Sequence, residues 1–302
     1  MTPAAQVPEP SREVLERWGV VPAEYLGGHA NDQWLVESGG GRLVLRGYRV
    51  EPLGDIDYEL DVSRRLRGLG WPVPVAVAGP VQCEGRSWCL LDWLPGASRQ
   101  VRDGAEKRAR GRLLAELHDS MVLLAGMGQR NGFALLDEVI RDPKLVPLIQ
   151  DYERIYPGEA RIMRWHLDAA LQRFEQIDLK AAERIVLHSD FAPWNLLFEG
   201  EKLTGILDFE STHLNYRVGD FALSWRGYQD EVIDGYQEVH KLTDLDWELL
   251  IPAYWSWLFL GVKDELKAMI SGEKPPHRFE WQVKHLMTRS GLLGQRVAEY
   301  PG

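Results

Sequence analysis

One stretch constrains this chain more than any other. In "NLLFEGEKLTGILDFE" (195–210), two short apolar runs, Leu196 to Phe198 and Leu203 to Leu207, flank the turn-forming Glu199, Gly200, Glu201 and Lys202. Such runs around a glycine-containing turn predict an antiparallel hairpin. Asn195 stands just before the first strand and Asp208 just after the second, so the hairpin brings them side by side at its open end. An amide oxygen and a carboxylate held together are hard ligands, suited to Mg²⁺. Upstream, "LHSDFAPWN" (187–195) adds His188 and Asp190, and Asp190 at the end of the apolar "RIVL" would project towards the same place.

The residues before this stretch divide in character. A helix is expected around 11–18, followed by a glycine turn, a strand near 33–37, the turn Gly39-Gly40-Gly41 and a strand at 42–48. "DIDYELDVSRRLRGLG" (55–70) spaces Ile56, Leu60, Leu66 and Leu69 as a helix does and ends in glycine. "WPVPVAVAG" (71–79) and "SWCLLDW" (87–93) read as two further strands, closed by the breaker "LPGAS" (94–98). From 103 onward helices dominate, first at 105–125 with Leu113, Leu114, Leu117, Met121 and Leu124 on one face, then at about 159–178. Short strands return at 185–188, 196–198 and 203–207, and the remainder reads mostly helical. The expected class is α+β, with a small antiparallel β-sheet lobe over 1–93 and a larger, mainly helical lobe over 94–302.

Composition narrows what such a chain does. A net charge of −10 argues against nucleic acid as a partner, since its binders need a basic surface. It mildly favours a cationic substrate through long-range steering. No run reaches the roughly 18 apolar residues of a membrane helix; the best, "IPAYWSWLFLGV" (251–262), is short and broken by Pro252, Ser256 and Gly261. The N-terminal residues show no basic-then-apolar pattern, so no secretion signal is expected. Cys83 and Cys89 are too few for a disulfide framework or a zinc site and are expected as buried thiols of a cytoplasmic protein. The eight histidines show no zinc-ligand spacing either.

Singly, Asp190, Asn195 and Asp208 are ordinary turn or cap residues. Together they are the parts of phosphoryl transfer: an Asp to accept a hydroxyl proton, and an Asn and an Asp to hold the metal that bridges ATP phosphates. The order His-x-Asp-x4-Asn, then an Asp after a hairpin, is that of the protein-kinase catalytic loop and its metal-binding Asp. "HSDFAPWN", "GILDFE" and "GDFA" (219–222) closely resemble the aminoglycoside phosphotransferase and choline kinase-like family, whose members share a two-lobed protein-kinase-like fold. The resemblance spans roughly 20–260 and is most specific at 185–222. It implies Asp190 as catalytic base and Asn195 and Asp208 as metal ligands. It also implies that His188 braces the loop and that Asp220 ties the loop backbone to a following helix. Ser189 stands where glycine is frequent in the family, and Glu210 where Asp is common.

The same resemblance asks for a basic strand residue paired with a helical acid, and Arg46 and Glu59 fill those places. Protein kinases use lysine there; arginine neutralises phosphates with a planar fork instead. The nucleotide-covering loop is "GGHAND" (27–32), with Gly27, Gly28 and Asn31, and lacks the protein-kinase glycine pattern. The ATP base is expected against the backbone of Asp92, Trp93 and Leu94. Acids and aromatics at 228–259 could hold a cationic amine by ion pairing and cation–π contact, or could be an acidic outer face over an aromatic core. Asp230, Glu231, Asp234 and Trp255 are the candidates there, and Glu210, outside that stretch, is a further substrate candidate. The expectation is therefore an ATP- and Mg²⁺-dependent phosphotransferase acting on a hydroxyl of an aminoglycoside or similar amino alcohol. The alternatives are a metabolic kinase for choline, homoserine or a sugar-like acceptor, and a kinase-fold nucleotide-binding protein without turnover.

Overall fold

The computed structural model describes residues 9–27, 31–49, 52, 54–100, 103–224 and 231–289. The chain divides into two compact units. The first comprises Met1–Gln100, Arg130–Gly132 and Pro193–Ser211, and the second comprises Val101–Gln129, Phe133–Ala192 and Thr212–Gly302.

The first unit begins with α1 (Arg12–Trp18), whose start is capped by the Ser11 hydroxyl and whose end turns at the left-handed Gly19. Next come β1 (Val21–Gly27), β2 (Asp32–Ser38), β3 (Gly41–Gly47), α2 (Ile56–Gly68), β4 (Ala76–Cys83) and β5 (Arg86–Asp92). The strands form one antiparallel sheet in the order β1-β2-β3-β5-β4. Its pleat sorts side chains by alternation. Trp34, Val36, Leu45, Trp88 and Leu90 pack with Val14 of α1. Val44, Tyr48, Cys89 and Leu91 pack with Ile56 and Leu60 of α2 on the other face. Arg46 has the parity of Val44 and Tyr48, which sends it towards α2. Both cysteines are buried free thiols.

Two details depart from expectation. β4 starts at Ala76 and not at Trp71, because Pro72 and Pro74 remove ladder donors from the segment before it. β1, not among the expected strands, pairs with β2 through two irregularities. It is an edge strand with no buried residue and so carries no apolar alternation to betray it.

The unit is completed from far along the chain. β6 (Ala97–Ser98) pairs with β8 (Leu196–Glu199), which forms a hairpin with β9 (Lys202–Ile206). The hairpin is pinned by Ile206 N donating to Pro72 O at 2.8 Å and Thr204 Oγ1 to Pro95 O at 2.6 Å.

The second unit is mainly helical. It contains α3 (Gly104–Met121), α4 (Leu136–Ile140), α5 (Leu145–Glu153), α6 (Pro157–Gln176), α7 (Phe221–Ser224), α8 (Glu231–Val239), α9 (Asp244–Ile270) and α10 (Glu280–Arg289). A two-stranded antiparallel sheet joins β7 (Arg184–Leu187) to β10 (His213–Tyr216), the latter not foreseen. α9 starts from a capping box between Thr243 and Asp246 and is buried along most of its first half. Among the described residues no helix is long and apolar enough to cross a membrane.

Candidate active site

The hairpin does what its sequence requires. Leu196 pairs with Ile206, and Leu207 N donates to Asn195 O at 2.8 Å, so Asn195 and Asp208 leave the same end of the ladder. Asp208 adopts φ 65°, a left-handed conformation that Asp tolerates better than most residues. Both residues line a cavity of about 290 Å³ that also meets Gly27, Arg46, Trp93 and Leu94.

Arg46 is the electrostatic centre of this cavity. Its guanidinium lies 3.2 Å from Glu59 Oε1, 3.5 Å from Asp208 Oδ1 and 3.4 Å from Glu210 Oε2. Tyr48 donates to Glu59 Oε1 at 3.3 Å, and its ring centroid lies 5.0 Å from the Arg46 guanidinium carbon. Burial disfavours the Arg46 charge, but Glu59, Tyr48 and Asp208 outweigh it and push its pKa above the ordinary arginine value. Removing one partner from such a buried pair costs on the order of 3–5 kcal/mol, because a charge is stranded. Exposure separates the partners: Arg46 and Glu59 are each 4% exposed, whereas Asp208 is 29% exposed and available to a ligand.

Glu210, considered from sequence as an acceptor contact, belongs to this network. It accepts from the Asn31 side-chain amide and faces Arg46, while Arg49 N donates to Asn31 Oδ1 at 3.0 Å. Burial, then the neighbouring Asp208, raises the Glu210 pKa. Asp92 lines the cavity beside Trp93 and Leu94, and its carboxylate accepts from Arg67 at 2.6 Å and from Val75 N at 2.6 Å. Among the described residues no group of three or more His, Cys, Asp or Glu side chains is placed to hold a metal. The oxygen pair of Asn195 and Asp208 nonetheless fits Mg²⁺, which takes few protein ligands and completes its shell with phosphates and water.

Asp190 lies in the second unit, three residues before the chain enters the first at Pro193. Its loop is held by hydrogen bonds to buried groups. Asp220 accepts from His188 N at 3.0 Å and from Ser189 N, and His188 Nδ1 accepts from Asp190 N at 3.2 Å. Ser189 sits at φ 65°, a conformation that glycine adopts without strain. Asp220 is supported in turn by His118 Nε2 at 3.0 Å, and Tyr236 Oη lies 2.9 Å from His118 Nδ1. Arg217 donates to that same Tyr236 oxygen at 3.2 Å. Burial lowers the His118 pKa, so the ring is neutral at pH 7, donating to Asp220 and accepting from Tyr236. Burial opposes the Asp220 charge, but His118 and His188 hold its carboxyl below the ordinary range.

Sequence reasoning missed His118 and Arg130. His118 falls one turn after Leu114 on the buried face of α3, and a polar residue on that face was the available signal. Arg130 sits in an irregular connection with no pattern to mark it. Of the remaining candidates, Gly28 and Asp230 lie outside the described residues. Asp234 is exposed and pairs with Arg108 at 3.3 Å, and Glu231 opens α8 beside Gly104. Trp255 is fully buried, its ring 5.2 Å from that of His166, so it serves the core of the second unit and not a ligand surface.

Comparison with known proteins identifies the family. Residues 23–249 match the model of the phosphotransferase enzyme family (APH). A homoserine kinase of Xanthobacter autotrophicus is 32% identical over 240 residues, covering 72% of this chain and 70% of that protein. A homoserine kinase of Methylobacillus glycogenes is 26% identical over 253 residues, covering 77% and 73%. Among solved structures, a microcompartment-associated aminopropanol kinase aligns with a TM-score of 0.63 at 20% identity, covering 90% of each chain. A spectinomycin phosphotransferase in complex with ADP and its antibiotic aligns with a TM-score of 0.60 at 13% identity, covering 92% of each. At those identities the solved structures establish the kinase-like fold, and the family model, matched over most of the length, establishes the lineage: the chain belongs to the phosphotransferase enzyme family.

Proposed function

We propose that the protein is an ATP- and Mg²⁺-dependent kinase that phosphorylates the hydroxyl of a small amino alcohol, with homoserine as the first acceptor to test. The observation that carries this reading is the buried Arg46–Glu59 pair facing the accessible Asp208 in a cavity shared with Asn195. Homoserine is favoured because relatives at 26–32% identity carry that activity in their names, whereas the spectinomycin enzyme shares 13%.

The acceptor oxygen attacks the γ-phosphorus, the bond from that phosphorus to the β–γ bridging oxygen breaks, and ADP leaves. The hydroxyl proton passes to the Asp190 carboxylate. Arg46 neutralises phosphate charge from a position fixed by Glu59. Trp93 and Leu94 offer the apolar wall for the base. Asn195 and Asp208 would hold Mg²⁺, which would supply positive charge to offset that of the phosphates.

The test is ATP consumption with homoserine, aminopropanol, choline and aminoglycosides, comparing wild type with Asp190→Asn. The variant is expected to lose roughly 10²–10⁴-fold in kcat while still binding ADP. Equal turnover by both proteins would remove Asp190 from the chemistry. ADP binding with no phosphorylation of any acceptor would favour a nucleotide-binding protein without turnover.

A further inference from the structure

We propose that Arg130 is a positioning residue for the nucleotide, joining the start of α2 to the backbone beyond Asp208 so that Glu59 stays on Arg46. This rests on the reading of Arg46 and Asp208 as nucleotide-side groups. Residues 130–132 interrupt a long run of the second unit, yet they group with the first. The Arg130 side chain is 1% exposed, and its fork reaches two backbone carbonyls and a carboxylate. Nε donates to Asp55 O at 2.9 Å, Nη1 donates to Glu210 O at 2.7 Å, and Nη2 lies 3.6 Å from Glu59 Oε2.

Each partner has a bearing on the cavity. Asp55 is the N-cap of α2, and its side chain accepts from Asp57 N at 2.9 Å. Glu59 lies in the first turn of that helix. Its two oxygens are split, Oε1 to Arg46 and Tyr48 and Oε2 to Arg130. Glu210 follows Asp208 by two residues and sends its own carboxylate to Arg46 and Asn31. One guanidinium therefore fixes the helix that supplies Glu59 and the segment that supplies Asp208. A lysine ammonium cannot reproduce that divergent fork, because it is a single point of charge. The effect of Arg130 passes through Glu59 and the two carbonyls.

The test uses the full chain with Arg130→Lys, Arg130→Met, Glu59→Gln and the double variant of Arg130→Met with Glu59→Gln. Four quantities are read: the thermal midpoint, the ADP dissociation constant in the presence of Mg²⁺, and the separate KM values for ATP and homoserine. Arg130→Lys is included because it preserves a buried positive charge and is the variant best able to fold. Both Arg130 variants are expected to weaken ADP binding by about tenfold and to raise KM for ATP by a similar factor, leaving KM for homoserine unchanged. In the Glu59→Gln background the Arg130→Met change should cost less than about twofold more, because the two act as one unit. Wild-type ADP affinity in both Arg130 variants, with only the midpoint lowered, overturns the proposal, as do fully additive effects in the cycle. A wild-type chain that binds no ADP overturns the functional reading itself and this inference with it.

Discussion

At the scale of single residues, His166 shows how burial fixes a charge state. It is fully buried on α6, with Nδ1 2.8 Å from Ile162 O and its ring set edge-on against Trp255. Burial lowers its pKa from 6.5 to about 4. The unfolded chain therefore binds a proton below pH 6.5 that the folded chain refuses until near pH 4, so stability falls as pH falls through that window. The loss attributable to this ring is ~2 kcal/mol by pH 5. Urea unfolding of wild type and His166→Phe at pH 7 and pH 5 measures it. The wild type should lose about that much more than the variant, and equal losses would refute the assignment. The candidate site residues behave differently because their partners are distant in sequence. Asp190, Asn195 and Asp208 are singled out in the sequence by type and spacing, and Arg46 and Glu59 by the family resemblance. Arg130 is not, since its meaning lies in carbonyls 75 and 80 positions away.

At the scale of elements, α3 and α8 approach each other closely in the second unit. A Cβ on Gly111 would lie 2.0 Å from Val232 O, and one on Gly235 would lie 2.0 Å from Arg108 O. Both obstacles are backbone atoms and cannot rotate aside. Gly111→Ala should therefore destabilise the protein by at least ~2 kcal/mol, while Gly158→Ala, with nothing within 4 Å, should be neutral. Thermal melting of the two variants settles the point, and a neutral Gly111→Ala would contradict the packing. The same pair carries His118 and Tyr236, so forcing the helices apart also strains the support of Asp220. Elements with a buried apolar stripe were readable in the sequence: α2, α3, β2, β3 and the 196–206 hairpin all sit within a few residues of expectation. β1 and β10 were not. The first is an exposed edge, and the second is a four-residue strand whose pairing with β7 is set by the tertiary fold.

At the scale of the whole molecule, the first unit is not a continuous stretch of chain, and this has a consequence for its stability. Residues up to Gln100 supply the five-stranded sheet and α2, but Arg130–Gly132 and Pro193–Ser211 supply the groups that satisfy them. Without those segments β6 loses its partner β8, Pro72 O and Pro95 O lose their donors, and Arg46 and Glu59 lose Asp208 and Arg130. Each hydrogen bond lost costs about 0.5–1.5 kcal/mol and the broken buried charge network more, against a total stability of only about 5–15 kcal/mol. A fragment ending at Gln100 should therefore fail to fold cooperatively, showing a broad thermal transition, weak near-ultraviolet circular dichroism from Trp34 and Trp88, and no ADP binding. The full chain under the same conditions should give a sharp transition and bind ADP. A fragment that melts sharply and binds ADP would show that α2 and the sheet hold Arg46 and Glu59 unaided, and the distant segments would then serve catalysis without being needed for the fold.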